Sequence, residues 1–281
     1  MSGQSPEDYR KRQREFYQSN AVGWDVWAAS VAEQSEGFNN PLIEAAGVAE
    51  GMKILDLASG AGEPALTVAR LVGPAGHVTA SDLSPAMLAI AEARAKEAGL
   101  ANMDFEIGEL DALPFDDDAF DAVISRFGIM YSPEPERALA EARRVTKSGG
   151  RIAFMVWGPI ETNAMLWTVL DVGNRITGHF EGDELTHPFC YAGPGSLGRY
   201  FEGAGLSDVR EEDHEFAPRI PKSVPFWQPL IGMNFGGALA TMSEPEKAAL
   251  EEAVASAFAP TLKDDKYHVS AHIRVISGAC P

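Results

Sequence analysis

A glycine-rich turn and the acidic residue that follows it are the first residues whose types and spacing suggest a chemistry. The run Gly60-Ala61-Gly62-Glu63-Pro64-Ala65 has the pattern G-x-G-x-x-A and follows a short apolar stretch. Asp82 ends the next apolar stretch, about 20 residues further on. Small residues in such a turn let a ligand approach the backbone, and the carboxylate accepts hydrogen bonds from ribose hydroxyls. The spacing therefore predicts a nucleoside-binding site.

The charges around this turn bear on which nucleoside it binds. Residues 54–69 contain Asp56 and Glu63 but neither lysine nor arginine. A dinucleotide places its pyrophosphate at the N-terminus of the helix after the turn, where each carboxylate would oppose it by about 1 kcal/mol. S-adenosylmethionine has no phosphate, and acidic surroundings favour its sulfonium and amino groups. The charges therefore favour S-adenosylmethionine over NAD or FAD.

Alternating strands and helices must position these residues. We predict strands at 53–57, 77–82, 102–107, 120–125 and 151–157, and helices at 64–71, 84–98 and 133–146. Pro64 is expected at a first helical position, and Ser84 is expected to cap the helix that Pro85 opens. Strands that alternate with helices form a parallel, doubly wound sheet, and ligands bind beyond the carboxyl ends of its strands.

Several segments resemble motifs of one enzyme family. The run from Ile54 to Gly62 resembles motif I of the class I S-adenosylmethionine-dependent methyltransferases, with Ala58 in place of the first glycine. The further matching segments are 78–88, 108–115 with Glu109 at the usual Asp position, 120–125, and 139–152 with Ser148 where the family often has proline. The chain is most similar to the ubiquinone/menaquinone-biosynthesis methyltransferase-like group, which acts on small molecules.

This resemblance implies a fold and a division of the chain. The fold is α/β, with a doubly wound, mostly parallel, seven-stranded Rossmann-like sheet, an antiparallel last strand, N-terminal helices and an inserted helical lid. We expect residues 1–50 to form the N-terminal helical lid and 51–157 the Rossmann-like core that binds S-adenosylmethionine. Residues 158–281 would complete the sheet, with acceptor-binding insertions at 158–194 and 219–266.

The resemblance also implies roles for individual residues toward the cofactor, S-adenosylmethionine. Asp56 and the backbone of Ala58, Ser59, Gly60 and Gly62 would hold its methionine part. The other implied contacts are Asp82 with the ribose hydroxyls, Leu83 and Met87 with the adenine faces, Glu109 and Leu110 with the adenine edge, and the Ser125 carbonyl with the methionine amine. For Leu83, Met87 and Leu110, plain core packing is the alternative.

Candidate catalytic residues lie after the fourth strand and in the later segments. His187, His179 and His214 are candidate general bases, needed if the nucleophile arrives protonated. Tyr131 is a candidate for lining the acceptor pocket. Arg126 would attract an anionic or carbonyl-bearing acceptor or form a structural salt bridge. The many aromatic residues after position 156 suit an apolar or aromatic acceptor, although each one alone is ordinary core material.

Composition narrows the possible partners. The chain of 281 residues has 23 Lys and Arg against 41 Asp and Glu, a net charge of −18, which disfavours nucleic acid and anionic membranes. Its two cysteines, Cys190 and Cys280, form neither a disulfide framework nor a recognisable zinc site, and we expect no metal. A polar N-terminus and the absence of a long apolar run predict a cytoplasmic protein, either a monomer or a homodimer.

Together these features predict a methyltransferase. We expect it to transfer the methyl group of S-adenosylmethionine by in-line displacement to oxygen or carbon of a small apolar or aromatic molecule. Two alternatives stay open from the sequence. One is an oxidoreductase that depends on NAD or FAD, and the other is a non-catalytic protein that binds S-adenosylmethionine.

Overall fold

The computed structural model describes residues 5–34 and 36–281. The helices are α1 (Pro6–Gln34), α2 (Glu36–Ala45), α3 (Ala65–Val72), α4 (Pro85–Glu97), α5 (Pro135–Val145), α6 (Ala164–Thr177), α7 (Gly198–Gly203), α8 (Trp227–Leu239) and α9 (Glu244–Phe258). The strands are β1 (Lys53–Leu57), β2 (His77–Asp82), β3 (Met103–Ile107), β4 (Phe120–Arg126), β5 (Thr146–Trp157), β6 (Ser207–Phe216), β7 (Arg219–Pro221), β8 (Leu262–Lys263), β9 (Lys266–His268) and β10 (Ala271–Ala279).

Seven strands form one mostly parallel sheet in the order β3-β2-β1-β4-β5-β10-β6. Strand β1 pairs in parallel with both β2 and β4, so the strand order reverses between these neighbours. Strand β10, the last in the chain, runs antiparallel to β5 and β6. The predicted fold class is therefore confirmed, and ligands of such sheets bind where the order reverses.

Helices cover both faces of this sheet because consecutive strand residues point to opposite sides. On one face Ile54 and Ile124 pack with Leu42 of α2 and Val68 of α3. The adjacent strand residues Leu55 and Val123 point to the other face, where they pack with Leu139 of α5 and Phe201 of α7. The buried residues of α5 recur at spacings of three and four, as an amphipathic helix requires.

A third apolar cluster lies outside the sheet and joins α6, α8 and α9. The small three-stranded sheet β7-β9-β8 borders it, since Ile220, Leu262 and Tyr267 pack in this cluster. Helix α1 packs closely on α8, where a Cβ atom at Gly23 would lie 1.9 Å from the Gly232 carbonyl oxygen. Buried Asn20 accepts a hydrogen bond from the Gly237 amide at 3.0 Å, which fixes α1 on this cluster.

Two local predictions were wrong, and a third is confirmed in position only. Pro64 precedes α3 at its N-cap, and the helix begins at Ala65. Ser84 occupies the N-cap position of α4 as predicted, but its side chain makes no capping hydrogen bond, and its amide donates to Asp82 Oδ1 at 2.8 Å. Strand β5 begins before residue 151, since the Gly149 amide pairs with the Cys280 carbonyl at 2.8 Å.

None of the helices in the described parts of the chain has the length and apolarity needed to cross a membrane.

Candidate active site

A large cavity lies beyond the carboxyl ends of β1, β2, β3 and β4. Its volume is about 1370 Å³, more than the upper end of the usual range for a small-molecule pocket. The segments after these four strands, 57–61, 81–83, 108–111 and 126–133, form its floor. Helix α1 and residues 179–191 cover it. The cavity is therefore large enough to hold a cofactor and an acceptor together.

The structure brings the two halves of the predicted nucleoside motif into contact. Asp82 lines the cavity at the end of β2, and its Oδ2 accepts a hydrogen bond from the Gly60 amide at 2.9 Å. Its Oδ1 accepts from the Ser84 amide at 2.8 Å. Burial raises the pKa of Asp82, and these backbone hydrogen bonds lower it. Each carboxylate oxygen keeps a lone pair for a further donor, such as a ribose hydroxyl.

The turn between β1 and α3 needs small residues for conformation and for space. Gly62 has φ +100°, and a Cβ atom there would lie 2.3 Å from Leu66 Cδ1. Ala58, which replaces the first glycine of the motif, also has a left-handed φ of 54°, a conformation that suits glycine. The Ser59 hydroxyl is buried without a hydrogen-bond partner among the described residues. An unpartnered polar atom on the cavity lining is consistent with a polar ligand.

Asp56 lies on β1, behind this turn. It is fully buried, and its Oδ2 accepts a hydrogen bond from the Ala65 amide at 3.1 Å. Within the described part of the chain, Oδ1 has no hydrogen-bond partner. Burial raises the pKa of Asp56 to about 8, against the opposing effect of the Arg126 charge. On β1 the cavity lining begins at Leu57, the residue after Asp56. The predicted contact between Asp56 and the methionine part of the cofactor therefore stays a prediction.

Two arginines from other elements compensate the acids near the turn. Arg94 of α4 donates to the Ala61 carbonyl and lies 3.4 Å from Glu63 Oε1. Arg126 of β4 donates to Asn39 Oδ1 at 2.8 Å, and burial lowers its pKa while Glu63 and Asp56 raise it. The window 54–69 does not contain these arginines, so the charge argument from the sequence was incomplete. Arg126 lines the cavity near these acids, and its role toward an acceptor stays a prediction.

The residues predicted at the adenine end all line the cavity. Leu83 and Glu109 are partly exposed, and Leu110 packs against the sheet core. Met87 is 1% exposed, and its side chain would meet a Cβ atom at Gly60. Glu109 lies 3.5 Å from the guanidinium groups of both Arg10 and Arg14 on α1. Ser125 differs, because it is fully buried and its hydroxyl donates to the Leu57 carbonyl at 2.9 Å.

A buried ion-pair cluster that the sequence analysis missed holds α1 over the cavity. Arg10 donates to Asp111, whose side chain is 2% exposed, and to Glu134 at 2.7 Å. Burial opposes the charge of Arg10, but these carboxylates raise its pKa. Asp111 and Glu109 lie two residues apart in a segment that the motif comparison had already marked. Two acids so close together indicate a partner cation. That cation, Arg10, lies 101 residues away from Asp111 in the sequence, so the pair could not be identified.

Three of the four predicted aromatic or histidine candidates line the cavity. These are His187, His179 and Tyr131. His214 lies on β6, where it pairs with Ile273 of β10, and its Nε2 is 4.0 Å from Glu212. Among the described residues it lies outside the cavity lining, so the structure does not bring it together with the other candidate bases. The sheet continues past β5 to β10 and β6, which carries His214 away from the reversal point.

Aromatic rings form another part of the cavity lining. Phe127 and Trp157 stack with ring centroids 4.1 Å apart. Tyr17 of α1 lies edge-on to Tyr131 at 5.9 Å, and burial raises the pKa of Tyr131 to about 12. His179 contacts three phenylalanine rings, and burial lowers its pKa. Groups of histidine, cysteine and acidic residues that could hold a metal ion are absent from the described residues.

Comparison with known sequences identifies relatives of this chain. The model of the ubiE/COQ5 methyltransferase family matches residues 14–169. An uncharacterized protein of Mycobacterium tuberculosis (strain H37Rv) is 38% identical over 139 residues, 48% of this chain and 49% of that protein. The ubiquinone/menaquinone biosynthesis C-methyltransferase UbiE of Methylobacterium nodulans is 33% identical over 56% of this chain and 66% of that protein. The match thus spans about half the length of the first of these relatives.

Solved structures share the fold. A putative methyltransferase from Bacillus halodurans has a TM-score of 0.56 at 20% identity and covers 86% of this chain and 98% of that one. Geranyl diphosphate C-methyltransferase from Streptomyces coelicolor A3(2) has a TM-score of 0.53 at 18% identity, over 89% of this chain and 79% of that one.

The family match confirms the resemblance that the motifs predicted, and it favours S-adenosylmethionine over NAD and FAD. S-adenosylmethionine is the cofactor of the class I methyltransferases that the motifs resemble. The matched residues run from α1 through β5 into α6 and include the glycine turn, Asp82 and Glu109. Because the family model covers more than half of the sequence, the chain belongs to the ubiE/COQ5 methyltransferase family.

Proposed function

We propose that this chain transfers the methyl group of S-adenosylmethionine to oxygen or carbon of a small apolar or aromatic molecule. One observation carries the proposal. A single cavity of about 1370 Å³ is lined both by the glycine turn and Asp82 and by aromatic side chains. A cofactor and an acceptor in one enclosure are what group transfer between them requires.

The residues of the nucleoside end fit S-adenosylmethionine. Asp82 is fixed by two backbone hydrogen bonds and has lone pairs left for the ribose hydroxyls. Ser59 presents an unpartnered hydroxyl, and the turn has the left-handed residues that allow close approach to the backbone. When bound, S-adenosylmethionine supplies an electrophilic methyl group on a sulfonium. The adenine would lie between Leu83 and Met87 and reach Glu109 and Leu110 at its edge.

The opposite end of the cavity would hold the acceptor. Phe127, Tyr131, Trp157 and Phe189 present aromatic surface there, which favours a flat or apolar molecule. Helix α1 would form one part of the lid, and the insertion 158–194 would form the other with its residues 179–191, which line the cavity. This cover excludes water and holds the reactants in line, which is the main requirement of a displacement at an activated carbon.

Binding of S-adenosylhomocysteine tests the cofactor part of this proposal. We expect calorimetric titration to show micromolar binding of S-adenosylhomocysteine and no binding of NADH. Asp82→Ala should abolish that binding while the circular dichroism spectrum stays unchanged. Asp104→Ala on β3 is the matched control, because that carboxylate is exposed and pairs with His77 on the surface. Normal binding by Asp82→Ala would show that the ribose assignment is wrong, and binding of NADH alone would overturn the proposal.

Methylation tests the second part. We expect radiolabelled methyl groups from S-adenosylmethionine to appear on members of a panel of small aromatic and apolar acceptors. Intact cofactor after binding, with no label on any acceptor, would favour the alternative of a non-catalytic binding protein.

A further inference from the structure

A hydrogen bond between a tyrosine and a histidine lies on the cavity wall at the acceptor end. The Tyr9 hydroxyl is 2.8 Å from His187 Nε2. Tyr9 comes from the first turns of α1, and His187 begins a short helical turn 178 residues later. Both side chains line the cavity. The proposed function so far names no base that accepts a proton from the methyl acceptor. This pair lies where it could act as that base.

The surroundings of the imidazole fix which nitrogen is basic. The backbone carbonyl of Met130 faces the ring of His187 and raises its pKa. A carbonyl can only accept, so the nitrogen that faces it carries a proton. Because Nε2 contacts Tyr9, we assign that protonated nitrogen as Nδ1. Nε2 then accepts the hydrogen bond that the Tyr9 hydroxyl donates. The Tyr9 hydroxyl therefore lies between the basic nitrogen and the cavity.

The groups that face this pair keep it uncharged. Burial lowers the pKa of His187, so the imidazole is neutral at pH 7. Burial raises the pKa of Tyr9, and that of Cys190 to about 12, so both stay protonated. Tyr131 lies 5.8 Å from the imidazole and is likewise a phenol at this pH.

Among the described residues, the charged neighbours are Arg12, Asp183 and Glu184. Arg12 and Glu184 form an ion pair at 2.5 Å. The carboxylates of Asp183 and Glu184 raise the pKa of His187 and so favour an imidazolium that forms during reaction.

We propose that Tyr9 and His187 form a proton relay for a hydroxyl-bearing acceptor, and that the acceptor class is a phenol. This inference rests on the proposed function. The acceptor hydroxyl gives its proton to Tyr9 Oη while the Tyr9 proton moves to His187 Nε2. The acceptor oxygen forms a bond to the methyl carbon as the carbon–sulfur bond breaks, and the sulfur keeps that electron pair. The imidazolium then returns its proton to solvent.

Two properties of the site favour a phenol. Its ring matches the aromatic lining of Tyr131 and Phe189 beside His187. Its hydroxyl ordinarily titrates near pH 10, so at pH 7 a base increases the rate. A carbon nucleophile without an acidic proton would leave the relay without a function.

Nuclear magnetic resonance of the imidazole tests the relay without measuring turnover. In the full chain bound to S-adenosylhomocysteine, we expect His187 in the Nδ1–H tautomer, with a pKa below the ordinary value for histidine. Tyr9→Phe removes the donor that stabilises the neutral ring, so the pKa of His187 should rise. A proton on Nε2, or a titration unchanged in Tyr9→Phe, would overturn the relay.

Kinetics with two probes test the acceptor class. One probe is an unsubstituted phenol, which is protonated at pH 8, and the other is 4-nitrophenol, which is largely ionised there. We expect His187→Gln and Tyr9→Phe to lower kcat about a hundredfold with the first probe and less than about threefold with the second, because a phenolate needs no base. His77→Gln, on the exposed end of β2, is the control and should leave both rates unchanged.

Each other outcome has a definite meaning. Equal losses with both probes would overturn the relay, because the two residues would then act on binding or folding alone. Binding of S-adenosylhomocysteine with no methylation of either probe would overturn the phenol assignment while leaving cofactor binding intact. No binding of S-adenosylhomocysteine would mean that the proposed function itself has failed.

Discussion

Asp56→Asn should change how the stability of the protein depends on pH. Asp56 is fully buried on β1, with one backbone hydrogen bond to its carboxyl group. Burial raises its pKa from 3.8 to about 8, which means that the folded chain holds this proton more tightly than the unfolded chain does. Above pH 4 the unfolded carboxyl ionises freely, while the folded one resists. The wild-type protein therefore loses stability from this group as the pH rises from about 4 to about 8, and the loss is complete above pH 8.

The size of the effect follows from the shift. Each unit of pKa corresponds to about 1.4 kcal/mol, so the full penalty is about 6 kcal/mol once Asp56 is ionised in the folded chain. Between pH 6 and pH 8 the change from this group is about 2 kcal/mol, because the titration is half complete at the upper value. Asparagine has the shape of the protonated acid and does not ionise. The free energy of unfolding of Asp56→Asn, relative to wild type, should therefore rise by about 2 kcal/mol over this range.

Urea unfolding at pH 6, 7 and 8, followed by circular dichroism, measures this difference. The difference in the free energy of unfolding between variant and wild type removes the contributions of all other titrating groups. Its change with pH also removes the constant cost of an unpaired amide in the core. Asp25→Asn on the exposed side of α1 is the control and should show no change with pH. A difference that stays flat from pH 6 to pH 8 would refute a buried protonated carboxyl. It would mean that the charge of Arg126 keeps Asp56 ionised throughout.

Two further substitutions test the ion pairs of α1 and the glycine turn. Arg10→Met leaves the buried carboxylate of Asp111 without its cation and should cost about 3 kcal/mol of stability; urea unfolding measures the loss, and Asp111→Asn in the same chain should recover most of it. Gly62→Ala combines φ +100° with a Cβ atom 2.3 Å from Leu66 Cδ1 and should cost at least about 2 kcal/mol in thermal unfolding. Gly51→Ala, with φ +82° and open space around it, isolates the backbone strain, and an equal cost at both glycines would contradict the predicted clash.

The sheet and the nucleoside end were predictable because their signals are local. Short apolar strands alternate with amphipathic helices, and the glycine turn, Asp82 and Glu109 each follow a strand directly. The residues that directly follow the strands of a parallel sheet all lie at the carboxyl edge of that sheet. Their positions in the sequence therefore suffice to predict that they lie close together. The predicted boundaries of β1 and β2 agree with the structure for the same reason.

The pairs that join distant segments could not be predicted in this way. Arg10 meets Asp111 across 101 residues, and Tyr9 meets His187 across 178. No periodicity relates their positions, because the contact depends on how α1 crosses the sheet edge. The position of His214 could not be predicted either, since strand pairing places β6 at the outer edge of the sheet.

Helix α1 links the two ends of the cavity through neighbouring residues. Arg10 binds the segment after β3, where the adenine is proposed to lie, and Tyr9 binds His187 at the acceptor end. Since residues 9 and 10 are joined in one helical turn, a displacement of either contact displaces the other. A cofactor that competes with Arg10 for Glu109 would therefore alter the position of the Tyr9 hydroxyl. The proposed proton relay is thus assembled by the same helix that closes over the cofactor, which makes its geometry dependent on the occupied nucleoside end.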